Sequence, residues 1–386
     1  MAQIVRIVRI EPHDPLLFRD PRPFSAGPFF ARTLSFPLPS VTAGTIRTLI
    51  GKQRKINFKS EAEKLLDIEV HGPLLYLNER FYFPAPKDAV VVEKEEAKQV
   101  LRLKPLDFRD GEGANLPNGL CLVGHDSLPA KQEEMPEFWS TCVMWEWLAG
   151  KGIGAHRLEE EGFSPEKDRR THVHIDPETL TSKEVEGIGG MLFSTEGVSF
   201  LRRRKDENFQ IDEGTLIIRV GADGYEIKDA LHRIGGEGRF AQFIIDGERA
   251  WPKIPKGVAD AIRNSGKIKL QLATPAVFRN GWCPGWLEKE SGSFIGTPPG
   301  SNGLKLKLVG ACVPRWQPLS GWDLKTKKPK LLRRLAPAGS VYFFEPANSS
   351  EAEKLVELAE AMWLVPVSDE PQDRKDGFGL ALWGAW

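Results

Sequence analysis

The sequence has no cysteines at metal or redox spacing, no long apolar run and no excess of either charge, and each absence removes a class of function. Its four cysteines, Cys121, Cys142, Cys283 and Cys312, are scattered without a C-x-x-C pair, so neither a zinc module nor a disulfide framework is expected. They read as reduced core residues. No stretch is long enough to cross a bilayer as a helix, and Met1-Ala2-Gln3-Ile4-Val5-Arg6 lacks the apolar centre of a signal peptide. No membrane partner is expected, and the cytoplasm is the expected compartment. Fifty-three basic side chains balance fifty-three acidic ones, which excludes a protein that coats nucleic acid indiscriminately and leaves room only for a local basic site. No G-x-x-x-x-G-K loop occurs, the glycine spacing departs from G-x-G-x-x-G, and no cofactor is expected.

What is present is a folded chain of 386 residues, 41% aliphatic or aromatic and 27% charged, long enough for two or three domains with substantial cores. Residues 3–11, rich in Ile and Val, read as a buried strand, and the Pro-rich passage from His13 to Phe24 reads as a long functional loop. Leu38 to Arg47 then predicts a helix, with Pro39 and Ser40 as its start and the Ser40 hydroxyl as its cap. Ser40, Gly44, Arg47 and Gly51 recur on one face, while Thr42, Ile46, Leu49 and Ile50 turn inward. A glycine inside a helix costs roughly 1 kcal/mol against alanine, so Gly44 needs a reason. Two stand side by side: close packing of another protein element, or approach of a ligand backbone to a helix start followed by an arginine.

Strands are expected near 68–77 and 80–84, giving a strand, helix, strand, strand opening, and a second helix is expected over Pro136–Ala149. Further strands near 171–176, 189–194 and 215–220 would complete that unit. Ile268, Leu270 and Leu272 alternate with lysines, as do Leu304, Leu306 and Leu308, so pairing of these two strands would gather Lys267, Lys269, Lys305 and Lys307 on an open basic sheet face. A strand over Gly339–Glu345, a helix over Ser349–Leu364 and a terminal strand after Gly377-Phe378-Gly379 follow. The fold class is α+β, with two ferredoxin-like or RRM-like domains, placed at 1–205, with a variable insertion around 87–190, and at 206–386.

Three clusters bear on chemistry. Lys325, Lys327, Lys328, Lys330, Arg333 and Arg334 form a run without acids that reads either as a solvated loop or as a phosphate clamp. Ile234-Gly235-Gly236-Glu237-Gly238-Arg239 and Gly377-Phe378-Gly379 can each present consecutive amides to an anion. Catalytic machinery is thinner. His172 and His174 share a strand face without a companion ligand, and His13 beside Asp14 is the one other imidazole placed to deprotonate a ribose hydroxyl.

Phe18-Arg19-Asp20-Pro21-Arg22-Pro23-Phe24, the Pro39–Arg47 helix, Gly235-Gly236-Glu237-Gly238-Arg239, Ser320-Gly321-Trp322-Asp323 and Arg333 through Tyr342 together resemble one family: the third-numbered subunits of the Cmr complex, the type III-B CRISPR effector, within the RAMP superfamily. The motifs keep the family's order over 12–386; residues 87–190 match least, which suits a thumb-like insertion. The resemblance implies a non-catalytic subunit in antiviral defence that holds the 5′ tag of the crRNA, docks on the large polymerase-like subunit, neighbours a backbone RAMP subunit and meets target RNA indirectly. Carried over by position, the RNA-binding set is Arg19, Arg22, Ser40, Thr42, Gly44, Arg47, Gly235, Gly236, Arg239, Lys330, Arg333, Arg334, Gly377 and Gly379, with Phe24, Trp316 and Trp322 as candidate base platforms. The rival readings are a RAMP-type crRNA-processing endoribonuclease using His13 or His172, and a pure protein scaffold.

Overall fold

Val8 and Ile10 are fully buried while Arg9 between them stays partly exposed, the period-two pattern of a strand with one covered face. The computed structural model describes the chain apart from residues 1–4, 20–29, 32, 95–96, 109, 127–130, 174, 183–191, 204–210, 222–223, 324–327, 349–350 and 352, and apart from the side chains of residues 30, 31, 322 and 323. The strand Val5–Pro12 pairs antiparallel with Thr215–Gly221 on one side and Phe240–Ile245 on the other. Glu69–Leu77 pairs with the far side of Thr215–Gly221. Arg80–Pro84, Phe138–Ser140 and Gly162–Phe163 extend that edge, and Ala230–Arg233 closes the opposite one. The division expected at 205/206 therefore cuts through this sheet, because residues 215–245 give it three strands.

The second sheet repeats the arrangement. Leu306–Cys312, Val341–Pro346, Ile268–Leu272 and Ala381–Gly384 lie side by side in that order, with the hairpin Leu287–Glu290 and Ser293–Gly296 added outside Leu306–Cys312. In both sheets the principal strands, taken in chain order, stand second, third, first, fourth across the sheet. The molecule is thus a strand-rich α/β structure of several sheets. The expected helix over Pro136–Ala149 is a short strand, Phe138–Ser140, followed by the helix Thr141–Leu148. The expected strands near 171–176 and 189–194 are Glu166–Val173 and Leu192–Ser199, which form a separate hairpin joined to Phe30–Ala31 and do not enter either large sheet. No helix among the described residues is long and apolar enough to cross a membrane.

The first sheet is covered on both faces. Helix α1 (Pro39–Gln53) lies on one, where Ala43, Ile46, Leu49 and Ile50 meet Val8, Ile10, Leu216 and Ile218. Each of the valine, leucine and isoleucine side chains among them, fully removed from water, contributes about 1.5–3 kcal/mol. On the other face Leu74, Phe83 and Ile217 belong to a core that continues into the second sheet through Trp147, Leu270, Leu306 and Trp383. The two sheets therefore share one hydrophobic interior.

The lysines expected on an open basic face of the second sheet are not there. Ile268–Leu272 pairs with Val341–Pro346 and Ala381–Gly384, not with Leu306–Cys312, and its face is roofed by the first unit. Lys269 is wholly buried, its Nζ 2.5 Å from Asp88 Oδ2, while Trp147 Nε1 donates to Asp88 Oδ1 at 2.7 Å. Desolvation pushes the Lys269 ammonium down to about 8 against the pull of Asp88. Lys267 and Lys305 are paired with Glu345 and Glu290. A hydrophobic strand with alternating lysines reads the same whether the lysines meet water or a buried carboxylate.

A second polar tie joins the units beneath α1. Arg47, expected on the open face of the helix, is buried: Nη1 lies 2.5 Å from Asp376 Oδ1, and Nε and Nη2 donate to the Ile68 carbonyl at 3.2 and 2.8 Å. Gly51 is likewise packed, since a Cβ there would meet the Phe58 ring at 2.6 Å. Removing one partner of a nearly buried ion pair strands the other, so Arg47→Met is expected to lower unfolding free energy by about 3 kcal/mol, with partial recovery in Arg47→Met/Asp376→Leu. Chemical denaturation of the two variants checks this, and an additive double mutant would count against the pair. His71 supplies a pH test. Burial first, and Arg219 second, push its imidazole down to about 3. Because the folded pKa lies below the unfolded one, the stability tied to neutral His71 is fully present above about 6.5 and lost on acidification toward 3, at up to about 1.4 kcal/mol per pH unit. Wild type is therefore expected to lose more stability between pH 6.5 and 5 than His71→Gln, and parallel profiles would contradict the assignment.

Candidate nucleic-acid interface

Both units contribute to one cleft of about 930 Å³. Its first wall is the outer stripe of α1: Ser40, Val41, Gly44, Thr45, Thr48 and Lys52. The facing wall comes from far along the chain, with Leu319, Ser320, Gly321, Pro329, Lys330, Leu331 and Arg333. One end is closed by Leu17–Arg19 and by His232, Arg233, Gly235 and Gly236. The floor is apolar, because Leu38, Leu319 and Phe378 belong to a small buried cluster shared with Val277 and Leu335.

The helix start is built differently from the expectation. Leu38 is the cap residue, Pro39 is the first helical residue and Ser40 the second, so the Ser40 hydroxyl makes no cap. A proline there forfeits only an amide that has no partner in any helix. Among the described residues, nothing lies within 4 Å of where a Gly44 Cβ would sit, so close packing of another described element does not explain this glycine. The exposed stripe is Ser40, Gly44, Thr48 and Lys52, four residues apart each time. Choosing a step of three after Gly44 leads to Arg47 and Gly51 and crosses to the buried side; Lys52 was accessible to the same reasoning with a step of four.

Of the fourteen residues expected to bind RNA, the cleft gathers Arg19, Ser40, Gly44, Gly235, Gly236, Lys330 and Arg333. The others stand elsewhere. Thr42 is fully buried and donates to the Pro39 carbonyl at 3.0 Å. Arg47 is the buried tie described above. Arg334 alternates with Arg333 along Arg333–Leu335 and turns from the cleft onto the Trp316 ring, 4.9 Å from its centroid. Arg239 is not among the lining side chains; its backbone closes the glycine turn through Ile234 and Gly236. Gly377 and Gly379 are buried left-handed positions, where a Cβ would meet the Val70 carbonyl at 2.5 Å and Ser368 Oγ at 2.9 Å. Arg22 and Phe24, and the Trp322 side chain, lie outside the described residues. Lys52, Arg233, Thr45 and Thr48 join the site without having been expected.

Gly235 and Gly236 line the cleft for a protein reason as well. The Gly236 amide donates to the Leu17 carbonyl at 2.8 Å, and a Cβ on Gly235, which has φ +71°, would lie 2.5 Å from that oxygen. The turn thereby clamps the Leu17–Arg19 segment at the cleft end.

Although the chain carries no net charge, the cleft does. Arg19, Lys52, Arg233, Lys330 and Arg333 line it, and the one acid among the described lining residues, Asp376, is spent on Arg47. Arg333 Nη1 reaches Asp373 Oδ2 at 2.8 Å; burial raises the Asp373 carboxyl and Arg333 opposes the rise. The Thr45 and Thr48 hydroxyls donate to the Val41 and Gly44 carbonyls at 2.8 and 2.7 Å, so toward a ligand those oxygens can only accept. Cations on several sides, acceptor oxygens along one helix and an apolar floor suit a flexible phosphodiester chain with exposed bases.

The histidines considered as bases are not in this cleft. His172 Nε2 is 2.8 Å from Thr195 Oγ1 and its ring stacks on Phe193, and His174 lies outside the described residues. His13 does not line the cleft. His232 does, but Nδ1 lies 2.9 Å from the Arg233 carbonyl and Nε2 is sealed from solvent. No group of three or more His, Cys, Asp or Glu among the described residues is placed to hold a metal ion.

Structural comparison finds a chain of a type III-B Cmr-beta complex bound to cognate target RNA and AMPPnP, 16% identical, covering 88% of this chain and 86% of that one, with a TM-score of 0.49. A chain of the same kind of complex with cognate target RNA alone gives 15% identity, the same coverage and a TM-score of 0.47. A chain of a Csm3–Csm4 subcomplex from a type III-A CRISPR–Cas interference complex gives 10% identity, coverage of 87% and 92%, and a TM-score of 0.37. A search of curated protein sequences found no match. The family model for CRISPR-associated protein Cas_Cmr3 matches residues 8–386, nearly the whole chain. This protein belongs to the Cas_Cmr3 family, subunits of the type III-B Cmr complex.

Proposed function

We propose that the cleft holds the single-stranded 5′ tag of the crRNA, and that the protein serves the type III-B complex as a non-catalytic RNA-binding subunit. The observation that carries this reading is convergence. Arg19, Ser40, Gly44, Gly235, Gly236, Lys330 and Arg333 span more than three hundred positions of sequence, yet they line one cationic cleft. Docking on the large polymerase-like subunit and on a neighbouring backbone subunit belongs to the same proposal and rests on the family. The architecture fits two ferredoxin-like units meeting in the stretch between Ile245 and Ile268, since both large sheets place their principal strands in the order of that fold. Each retains one crossover helix between principal strands: α1 in the first, Lys354–Ala361 in the second.

The helix wall gives a test in which stability and binding move apart. Gly44→Gln meets open space and replaces a poor helix former by a good one, so it is expected to raise stability by somewhat under ~1 kcal/mol. The same side chain would fill the space a strand needs, and affinity for a single-stranded oligoribonucleotide carrying the host's tag is expected to fall at least about tenfold, ~1.4 kcal/mol. Fluorescence anisotropy and thermal melts read the two effects. Unchanged affinity in the stabilised variant would remove α1 from the binding surface.

Charge on the two walls is tested separately, through Lys330 on the facing wall and Lys52 on α1. Lys330→Ala and Lys52→Ala are each expected to weaken binding and to reduce the slope of log affinity against log salt by about 0.7, the value for one phosphate contact on a single strand. A slope equal to wild type in both would show that these lysines meet no phosphate. Intact RNA recovered after prolonged incubation with the purified chain is the expected outcome, whereas metal-independent cleavage abolished by His13→Ala or His172→Ala would favour an endoribonuclease.

A further inference from the structure

Acids stand three residues apart along the short helix Pro371–Lys375, with Glu370 just before it, Asp373 within it and Asp376 just after it. Each holds an arginine from a different part of the chain: Asp376 takes Arg47 of α1, Glu370 takes Arg279, and Asp373 takes Arg333 of the facing wall of the cleft. The three pairs differ in exposure. Arg47 and Asp376 are both nearly buried, while Arg279 and Glu370 both reach water. The pair of Asp373 and Arg333 is lopsided, with the carboxylate side chain 4% exposed and the guanidinium side chain 44%. Water is kept from the acid while the cation lines the cleft.

The other charges around Asp373 are engaged elsewhere. On its own helix, Arg374 donates to the Ser368 and Asp369 carbonyls, and Lys375 pairs with Asp67. The elements packed against that helix bring Asp67, Glu69 and His71, and Arg219 lies against His71 and feels the charge of Glu69. On the facing wall Arg334 turns to the Trp316 ring. Asp373 is thus left with Arg333 as its counter-charge. Burial raises the Asp373 carboxyl, Arg333 opposes the rise, and Asp376 and Glu370 add to it.

We propose that Asp373 is a positioning residue for RNA binding: it aims Arg333 into the empty cleft and takes up one proton from solvent when a phosphate of the strand reaches that guanidinium. The inference rests on the reading of the cleft as an RNA site and adds a coupling between strand and proton. A guanidinium has five N–H donors, and Asp373 is met through Nη1, so a phosphate can approach the exposed remainder. Two anions then share one cation. A phosphodiester stays ionised, so the buried carboxylate is the partner that accepts the proton. The proton cancels the carboxylate charge, and Arg333 serves the phosphate alone. Because the bound state holds more protons than the free one, affinity rises as pH falls.

Anisotropy titrations of the full chain with a single-stranded oligoribonucleotide carrying the host's 5′ tag, run from about pH 7.5 to about pH 5 at fixed ionic strength, compare wild type with Asp373→Asn. The amide keeps an acceptor for Arg333 and imitates the protonated acid. At the upper pH the variant is expected to bind more tightly than wild type, by about tenfold for each unit by which the strand raises the carboxyl pKa. Wild type is expected to tighten on acidification and to approach the variant, whose profile is flatter. A residue that only held the loop in place would weaken binding when changed, at every pH. His232 also lines the cleft, but it is present in both proteins and its titration cancels. In an Arg333→Gln background the gain from Asp373→Asn is expected to vanish, and thermal melts confirm that each variant folds. Calorimetry of wild type in two buffers of different ionisation enthalpy reads the proton without any variant, with net uptake expected on binding. An Asp373→Asn protein that binds no more tightly than wild type at the upper pH, parallel profiles, absence of proton uptake, or a gain that survives Arg333→Gln would overturn the coupling. If Lys330→Ala and Gly44→Gln still weaken binding while Asp373→Asn changes nothing, the cleft stands and the coupling alone fails. If those two variants bind as wild type, the cleft reading itself is lost.

Discussion

Arg47 and Asp376 hold together two pieces of chain that would otherwise have no reason to face each other. The arginine stands on the inner side of α1 and the aspartate directly precedes Gly377 and Phe378, so their 2.5 Å contact fixes the helix wall relative to the floor. Around it, Gln372 Nε2 donates to the same Asp376 oxygen, and Lys375 pairs with Asp67. The left-handed Gly377 then fits under Val70 and Gly72, which brings Phe378 beside Leu38 and Leu319. The cleft is thus a consequence of an inter-unit contact: α1 alone offers one wall and the basic loop another, and only the packing between units spaces them. The buried Lys269–Asp88–Trp147 cluster provides the second point of attachment, where the lysine strand of the second sheet meets the first unit. Two separated polar ties and a shared hydrophobic interior join the two sheets.

This arrangement also explains how a neutral chain presents a cationic site. Acids are not scarce; they are consumed. Asp88 is committed to Lys269, Asp376 to Arg47, Glu345 to Lys267, Glu290 to Lys305 and Asp373 to Arg333, and the only acid among the described residues lining the cleft is Asp376, against five cations. Local charge is set by which cations the fold leaves without carboxylates, and net composition says little about it.

Much of the backbone plan was legible from the sequence because it rests on local signals. The strand at Val5–Pro12, the helix after Pro39, the hairpin formed by Glu69–Leu77 and Arg80–Pro84 and the terminal strand at Ala381–Gly384 all follow from periodicity and from proline or glycine at the ends. Family motifs located the segments of the cleft as well. What local signals do not contain is which face of an element another element will cover. Lys269 alternates with leucines as a surface lysine does, and only Asp88, far away in sequence, makes it an interior residue. Arg47 and Thr48 both neighbour the stripe begun by Ser40 and Gly44, and Asp376 decides between them. The glycines at 377 and 379 signal an unusual backbone correctly, but that backbone serves packing under Val70 and Ser368. Sequence separation underlies most of these misreadings: the partners that fix Lys269, Arg47 and Gly377 each stand more than a hundred positions away.

Crosslinking mass spectrometry on the assembled effector, with photoreactive nucleotides placed in the crRNA tag, addresses the binding surface without any variant. RNA held in the cleft gives adducts in peptides covering residues 17–19, 40–52, 232–236 and 329–333. Adducts confined to the hairpin of Glu166–Val173 and Leu192–Ser199, or absent from this chain while neighbouring subunits are labelled, would show that the tag lies elsewhere.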